Sequence, residues 1–389
     1  MHPNVSTDSA VNLLPVNPVF LTWEGLSVTA KKTKRLLLQD VAGIAQPGQL
    51  IALMGASGAG KTTLLNALLH RNLKGLKISG IVKVNGRIIG RKITKKKVSA
   101  YIQQQNLFIN SLTVHEHINL QAALRLPSSF TKHEKELRIK QLIINLAQNV
   151  TLRDVTLLTC RILIKTIIDL ELEFAYNLEL EHCVSSRIGS VSGTGKGITS
   201  GEAKRLAFAT EILTNPSLLF ADEPTTGIDS FMAYNIVKVL ERMASENGKT
   251  IICTIHQPAS DTFEMFDRVL FLANGKIVFL GSPSEAVRFY ADVGYPVPAH
   301  TNPADFFIQT LAIIPGEEEK CLERANQFIN AFMKSKYEVR MRQYLKLSNE
   351  RFQAKLFEHG KASIPTLIYA LFLRSYTVSI FLTIEICLN

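Results

Sequence analysis

The run Gly55-Ala56-Ser57-Gly58-Ala59-Gly60-Lys61-Thr62 constrains this chain more than any other part of it. It fits the pattern G-x-x-x-x-G-K-[ST], and its neighbours suit it. Gln49–Met54 reads as a buried strand before it, and Lys61–Arg71 as a helix after it, with leucines at 64, 65, 68 and 69 facing a core. Glycines let the backbone curl until successive N–H groups converge on phosphate oxygens, and the helix N-terminus adds positive potential there. Lys61 is then placed to reach the β- and γ-phosphates and the Thr62 hydroxyl to ligate Mg²⁺, with Thr63 beside it. Residues 55–63 are therefore expected to bind a nucleotide.

Kinases, GTPases and motor ATPases all use such a loop, so further residues must narrow the chemistry. Leu218–Ala221 is an apolar run ending in Asp222-Glu223. A buried strand there would deliver Asp222 to the Mg²⁺ side of the phosphates, and Glu223 could polarise an attacking water as general base. Ile251–Ile255 is another apolar run, ending in His256, whose imidazole could hydrogen-bond the γ-phosphate. Gln104 follows the expected strand Val98–Ile102, where an amide can contact both Mg²⁺ and the water. Three consecutive glutamines, Gln103 to Gln105, leave that choice open by one position.

Strands alternating with helices argue for an α/β domain with a largely parallel sheet, preceded by short β-rich runs from Val19 to Gly48. Ile81–Val84 reads as a strand, residues 112–147 as mostly helical, and Val269–Leu280 as a hairpin turning at Ala273-Asn274-Gly275. The 389 residues carry a formal charge of +11, concentrated at Lys31–Arg35 and Arg91–Lys97. Neither cluster interleaves aromatics, which argues for solvated loops rather than a nucleic-acid surface, and basic loops also suit a cytoplasmic face beside a membrane. The five cysteines (Cys160, Cys183, Cys253, Cys321, Cys387) are odd in number and never form CxxC, which fits a reducing compartment. Met1–Phe20 lacks the pattern of a signal peptide, and residues 1–18 read as a mobile segment. No window offers 18 uninterrupted apolar residues; the nearest, Ile364–Leu388, is broken by Arg374 and Glu385.

Taken together, the glycine loop, Gln104, Asp222-Glu223 and His256 resemble the Walker A, Q-loop, Walker B and H-switch of an ATP-binding cassette. Asn66-Ala67-Leu68, Leu112-Thr113-Val114-His115-Glu116-His117 and Lys204-Arg205-Leu206-Ala207-Phe208-Ala209 resemble the G subfamily of ABC half-transporters. So do Thr254-Ile255-His256-Gln257-Pro258 and Asn302-Pro303-Ala304-Asp305-Phe306. Within the subfamily the chain looks most like the White-type eye-pigment precursor transporters, over roughly Leu21 to Ile313.

The resemblance implies a P-loop NTPase fold: a RecA-like parallel-sheet core, an N-terminal antiparallel β subdomain and a helical signature subdomain within residues 19–313. A helical linker, 314–389, would lead to a membrane domain that this chain is expected not to reach. It also implies ATP and Mg²⁺ as cofactors, with Thr62, Gln104 and Asp222 at the metal. A second half-transporter would be the partner, in a head-to-tail dimer on the cytosolic face of a membrane. Each P-loop would there face the partner's signature. The family's Ser-Gly-Gly-Glu stands here as Thr199-Ser200-Gly201-Glu202, and Ala203 replaces a usual arginine. Thr199 keeps a hydroxyl, but Ser200 puts a side chain where glycine allows close approach to an anion. Two functions follow: an ATPase driving transport, or a hydrolysis-poor cassette forming the degenerate half of a heterodimer. The D-loop, Thr226-Gly227-Ile228-Asp229, keeps the family pattern. Residues 148–177 have no counterpart in the family and are expected to be an insertion, a retained intron being one source. Adenine stacks in the family on an aromatic ahead of the P-loop, yet Trp23, the sole tryptophan, reads better as a strand core residue.

Overall fold

The computed structural model describes residues 17–88, 98–104, 108–131, 133–135, 186–189 and 197–351. The expectations for residues 1–16, the Arg91–Lys97 cluster, Gln105, the insertion at 148–177 and the tail past 351 lie outside the described residues.

Two sheets set the architecture. The smaller is antiparallel, ordered β2-β1-β4-β5, from β1 (Leu21–Ala30), β2 (Leu36–Ala45), β4 (Leu76–Val84) and β5 (Arg87–Ile88). Trp23 on β1 is 1% exposed and lies flat against Gly43 of β2, where an added Cβ would meet the ring at 2.4 Å. That contact explains why a tryptophan faces a glycine, and it removes Trp23 from the nucleotide groove. Ile81–Val84 is the end of a longer strand, β4, because its earlier half alternates exposed and half-buried positions and so hides from a search for apolar runs.

The larger sheet has six strands, ordered β10-β9-β3-β8-β7-β6. Its members are β3 (Leu50–Met54), β6 (Ser99–Ile102), β7 (Leu218–Ala221), β8 (Thr250–Thr254), β9 (Arg268–Ala273) and β10 (Lys276–Gly281). The pairs β3–β8, β3–β9, β6–β7 and β7–β8 are parallel. β3, β7 and β8 are buried at every position, the reason each reads as a continuous apolar run rather than an alternating one. β9 and β10 form the expected hairpin. Asn274 and Gly275 both take positive φ, 47° and 73°, matching the twist of the flanking strands. Gly275 also anchors the two sheets to the glycine loop. Its N–H donates to Ala59 O (3.1 Å) and its carbonyl accepts from Gln39 N (2.9 Å). A Cβ there would sit 2.4 Å from Leu37 O, so only glycine closes this junction.

Helix α1 (Lys61–Leu68) buries Leu64, Leu65 and Leu68 as expected but stops before Arg71. Leu69 caps it, and His70 and Asn72 then take left-handed backbone at φ 49° and 50°, a conformation that ends a helix. α2 (Val114–Arg125) opens on a capping box between Thr113 and Glu116 and ends where Leu126 turns extended before Pro127. The helical reading of 112–147 is interrupted at that proline and resumes at 133–135, and residues 136–147 lie outside the described residues. α3 (Ser200–Ile212) and α4 (Ser230–Ser245) begin on Thr199 and Asp229 as N-caps.

The last described helices pack on the core. They are α5 (Ser260–Glu264), α6 (Pro283–Asp292), α7 (Pro303–Leu311), α8 (Glu318–Met333) and α9 (Lys336–Arg351). Phe279 of β10 meets Phe289 of α6 at 5.1 Å, Phe332 of α8 at 6.2 Å and Tyr337 of α9 at 5.2 Å between ring centroids. Arg340 of α9 grips the Glu285 carboxylate of α6 at 2.8 Å through both oxygens. Among the described residues no helix is long and apolar enough to cross a membrane.

Candidate functional site

The parallel strands end on one side of the sheet, and the candidate residues collect there. β3 runs into the glycine loop, β7 delivers Asp222 and Glu223, β8 delivers Thr254 and then His256, and β6 delivers Gln104. Sheet order explains the grouping, since β3, β8, β7 and β6 are successive neighbours.

Gly55, Gly58 and Gly60 take φ of 149°, 77° and 106°. Gly55 is also sterically required, since a Cβ there would meet Leu272 O at 2.3 Å; at Gly60 a Cβ would press on Leu38 Cδ2 at 2.8 Å and Leu37 O at 3.2 Å. The loop closes on itself through Ala59 N donating to Ala56 O (3.1 Å). Lys61 is 8% exposed, and its ammonium donates to Gly55 O (2.8 Å) and Ala56 O (3.1 Å). Burial lowers its pKa from the ordinary lysine value, with Glu223 and Asp222 pulling the other way.

Asp222 is the hub. It is 4% exposed; Oδ1 accepts from Thr254 Oγ1 (2.7 Å) and Thr62 Oγ1 (3.3 Å), and Oδ2 from Tyr101 Oη (2.9 Å). The carboxylate and the P-loop hydroxyl are thus neighbours. Glu223 takes φ 48°, unusual for a glutamate, and its N–H donates to Thr254 Oγ1 (2.7 Å). That bend turns its side chain toward the groove. Glu223 Oε2 accepts from Gln104 Nε2 (2.5 Å) and Thr226 Oγ1 (3.0 Å). Of the two described glutamines, Gln104 has an amide that reaches Glu223, while Gln103 lines a separate small cavity. His256 is exposed and faces the same groove as Lys61, Thr62, Thr63 and Glu223, together with Ser57, Gly58 and Gly60. The groove encloses about 750 Å³.

Thr199, Ser200, Gly201 and Glu202 stand elsewhere, at the start of α3. Thr199 and Glu202 form a capping box: Glu202 Oε2 accepts from Thr199 N (2.6 Å) and Oγ1 (2.8 Å), and Thr199 Oγ1 accepts from Glu202 N (3.3 Å). Ser200 Oγ donates to Gly227 O (3.3 Å), tying this turn to the loop ending at Asp229. Asp229 itself caps α4 through Met232 N (2.9 Å).

Several contributors escaped the sequence reading. Tyr101 and Thr254 lie inside apolar strands, where nothing marks them as ligands of Asp222. The groove's far wall is Arg35, Leu36 and Leu37 with Asn274 and Gly275. The NG turn was legible, but not the surface it would border. Lys204 is 5% exposed and donates to the Gln104 carbonyl at 2.5 Å.

His117, on α2 behind Gln103, is 2% exposed, 3.3 Å from Thr210 Oγ1 and edge-on to Phe108. Burial and the nearby Arg125 charge hold its pKa down at about 4, against 6.5 for the free group. Between those pH values the unfolded chain binds the proton and the folded one does not. Stability therefore falls as pH drops through that window, by about 3 kcal/mol in full. Urea midpoints of the parent should fall further from pH 6.5 to 4 than those of His117→Phe; equal falls would count against a neutral buried imidazole.

Comparison with known proteins bears on the family and the fold. Residues 38–226 match the ABC transporter family, and residues 256–365 match the ABC-2 type transporter family. The second match corrects the expectation that the chain stops short of the membrane-domain family: the matched stretch begins at the His256 turn and runs past the last described helix. The chain is 41% identical to the ABC transporter ATP-binding protein/permease wht-3 of Caenorhabditis elegans, over 86% of this chain and 49% of that protein. It is 42% identical to Protein white of Drosophila melanogaster, over 81% of this chain and 41% of that one. It thus spans about half the length of these relatives. Among solved structures, the dimeric structure of a bacterial ABC transporter cassette superposes with a TM-score of 0.50 at 20% identity, covering 67% of this chain and 98% of that one. That likeness speaks to the fold. The glycine loop and the acidic hub both lie within residues 38–226, the stretch that matches the ABC transporter family.

Proposed function

We propose that this chain binds Mg·ATP at residues 55–63 and hydrolyses it with Glu223 as general base, powering a membrane transporter in which a second cassette completes the site. The observation that carries this reading is that Thr62 and Glu223 line one groove while the buried Asp222 carboxylate lies 3.3 Å from the Thr62 hydroxyl. Thr62, Asp222 and the Gln104 amide oxygen are hard oxygen donors, the set that Mg²⁺ prefers beside phosphate. When bound, the ion neutralises charge on the β- and γ-phosphates. Lys61 would leave the carbonyls of Gly55 and Ala56 for the phosphates. Glu223 would orient the water, and His256, across the groove, would contact the γ-phosphate. Thr199–Glu202 would present a helix N-terminus to the nucleotide of the partner cassette, with Asp229 beside it. White-type relatives suggest a half-transporter dimer at the cytosolic face of a membrane, carrying pigment precursors such as guanine or tryptophan derivatives. No nucleic acid enters this reading.

Ser200 favours a second reading, in which the site completed by this signature hydrolyses poorly. Its side chain stands at the first turn of α3 and is held to Gly227 O. The double substitution Thr199→Ser, Ser200→Gly, measured with a co-expressed partner, separates the two. A gain in ATP turnover of roughly tenfold supports the degenerate half; an unchanged rate supports the competent one.

A further inference from the structure

Resting on that reading of the site, we propose that Lys204 is a positioning residue for hydrolysis: it fixes the Gln104 backbone so that the Gln104 amide holds Glu223, and it joins the signature helix to that carboxylate. The geometry is a chain of three residues joined by two hydrogen bonds. Lys204 Nζ donates to Gln104 O at 2.5 Å, and Gln104 Nε2 donates to Glu223 Oε2 at 2.5 Å. Lys204 itself stands on α3, whose N-cap is Thr199.

An ammonium is costly to bury, and Lys204 is only 5% exposed. Burial lowers its pKa while the charges of Glu223 and Asp222 act against that shift, so the cation lies within electrostatic reach of both catalytic-site carboxylates. A methionine would fill the same space without that cost; what only the ammonium supplies is the grip on the Q-loop carbonyl. Because Thr199 caps the same helix that carries Lys204, a displacement of that stiff element at Thr199–Glu202 would be carried to Lys204 and from there to Gln104. The turn expected to sense the partner's nucleotide is thereby wired to the base acting on this chain's own nucleotide. Neither Lys204 nor its bond to Gln104 is expected to touch ATP.

The test is a double-substitution cycle on the full chain, reading Mg·ATP affinity and turnover. Lys204→Met should lower kcat roughly 10- to 100-fold, while KM for ATP stays within about threefold. Lys204→Arg, which keeps the charge and a donor, should recover most of the loss. Gln104→Ala should show a similar fall, and adding Lys204→Met to it should lower kcat by no more than about twofold further, since the side chain being positioned is already gone. Parent-like kcat in Lys204→Met, a variant that loses ATP binding along with turnover, or losses that multiply in the double variant would each overturn the inference. A parent chain that binds no Mg·ATP overturns the reading of the site itself and this inference with it.

Discussion

Glu223→Gln should leave Mg·ATP binding intact while lowering turnover by about 10²- to 10⁴-fold, the usual range for loss of a general base. The substitution is close to isosteric, and the amide oxygen can still accept from Gln104 Nε2 and Thr226 Oγ1, which both reach the present carboxylate. The fold around it should therefore persist, including the bend at φ 48° that the Thr254 hydroxyl stabilises. What disappears is the capacity to take a proton from water. Removing one negative charge near the triphosphate can only favour binding, so the nucleotide should be held at least as tightly. Nucleotide-dependent thermal stabilisation together with phosphate release measures both halves. Equal turnover in parent and variant would remove Glu223 from the mechanism.

Much of this site could be read before any coordinates, and the reason is the parallel sheet. Buried strands are mostly apolar, so the first charged residue after each apolar run marks the sheet edge where ligands bind. Asp222 after Leu218–Ala221 and His256 after Thr250–Thr254 were legible for that reason. Gln104 was legible only to within one position, because a loop residue's direction is set by bonds such as Lys204 to its carbonyl, and no periodicity encodes those. Tyr101 and Thr254 stayed hidden because their hydroxyls sit within strands whose pattern already accounted for them. The wall of Arg35–Leu37 against Asn274-Gly275 joins parts of the chain that meet only through the contact of two sheets. Lys204 stood out only as part of a family-like run, and its bond to Gln104 was not legible, since a basic residue on a helix reads as solvent-facing. The early end of α1 shows the same limit: leucine spacing predicts a face, whereas the left-handed turns at His70 and Asn72 decide where it stops.

Lys61→Met should separate stability from function in the opposite sense to most core substitutions. Without nucleotide, the Lys61 ammonium is buried against two backbone carbonyls, Gly55 O and Ala56 O, and burial alone disfavours its charge. Methionine occupies similar space with no charge to desolvate, while those carbonyls lose a donor. These terms oppose each other and each amounts to about 1–3 kcal/mol, so the melting temperature of the free protein should move little. With Mg·ATP the balance is one-sided. The parent exchanges carbonyls for phosphate oxygens, charge-assisted contacts that contribute about 2–4 kcal/mol, or roughly 30- to 1,000-fold in affinity. The variant has nothing to exchange. Millimolar Mg·ATP should thus raise the parent's melting temperature and leave the variant's almost where it was. A variant stabilised by nucleotide as strongly as the parent would mean that the Gly55–Thr62 loop holds the triphosphate through its backbone alone, with Lys61 serving only to close the empty loop.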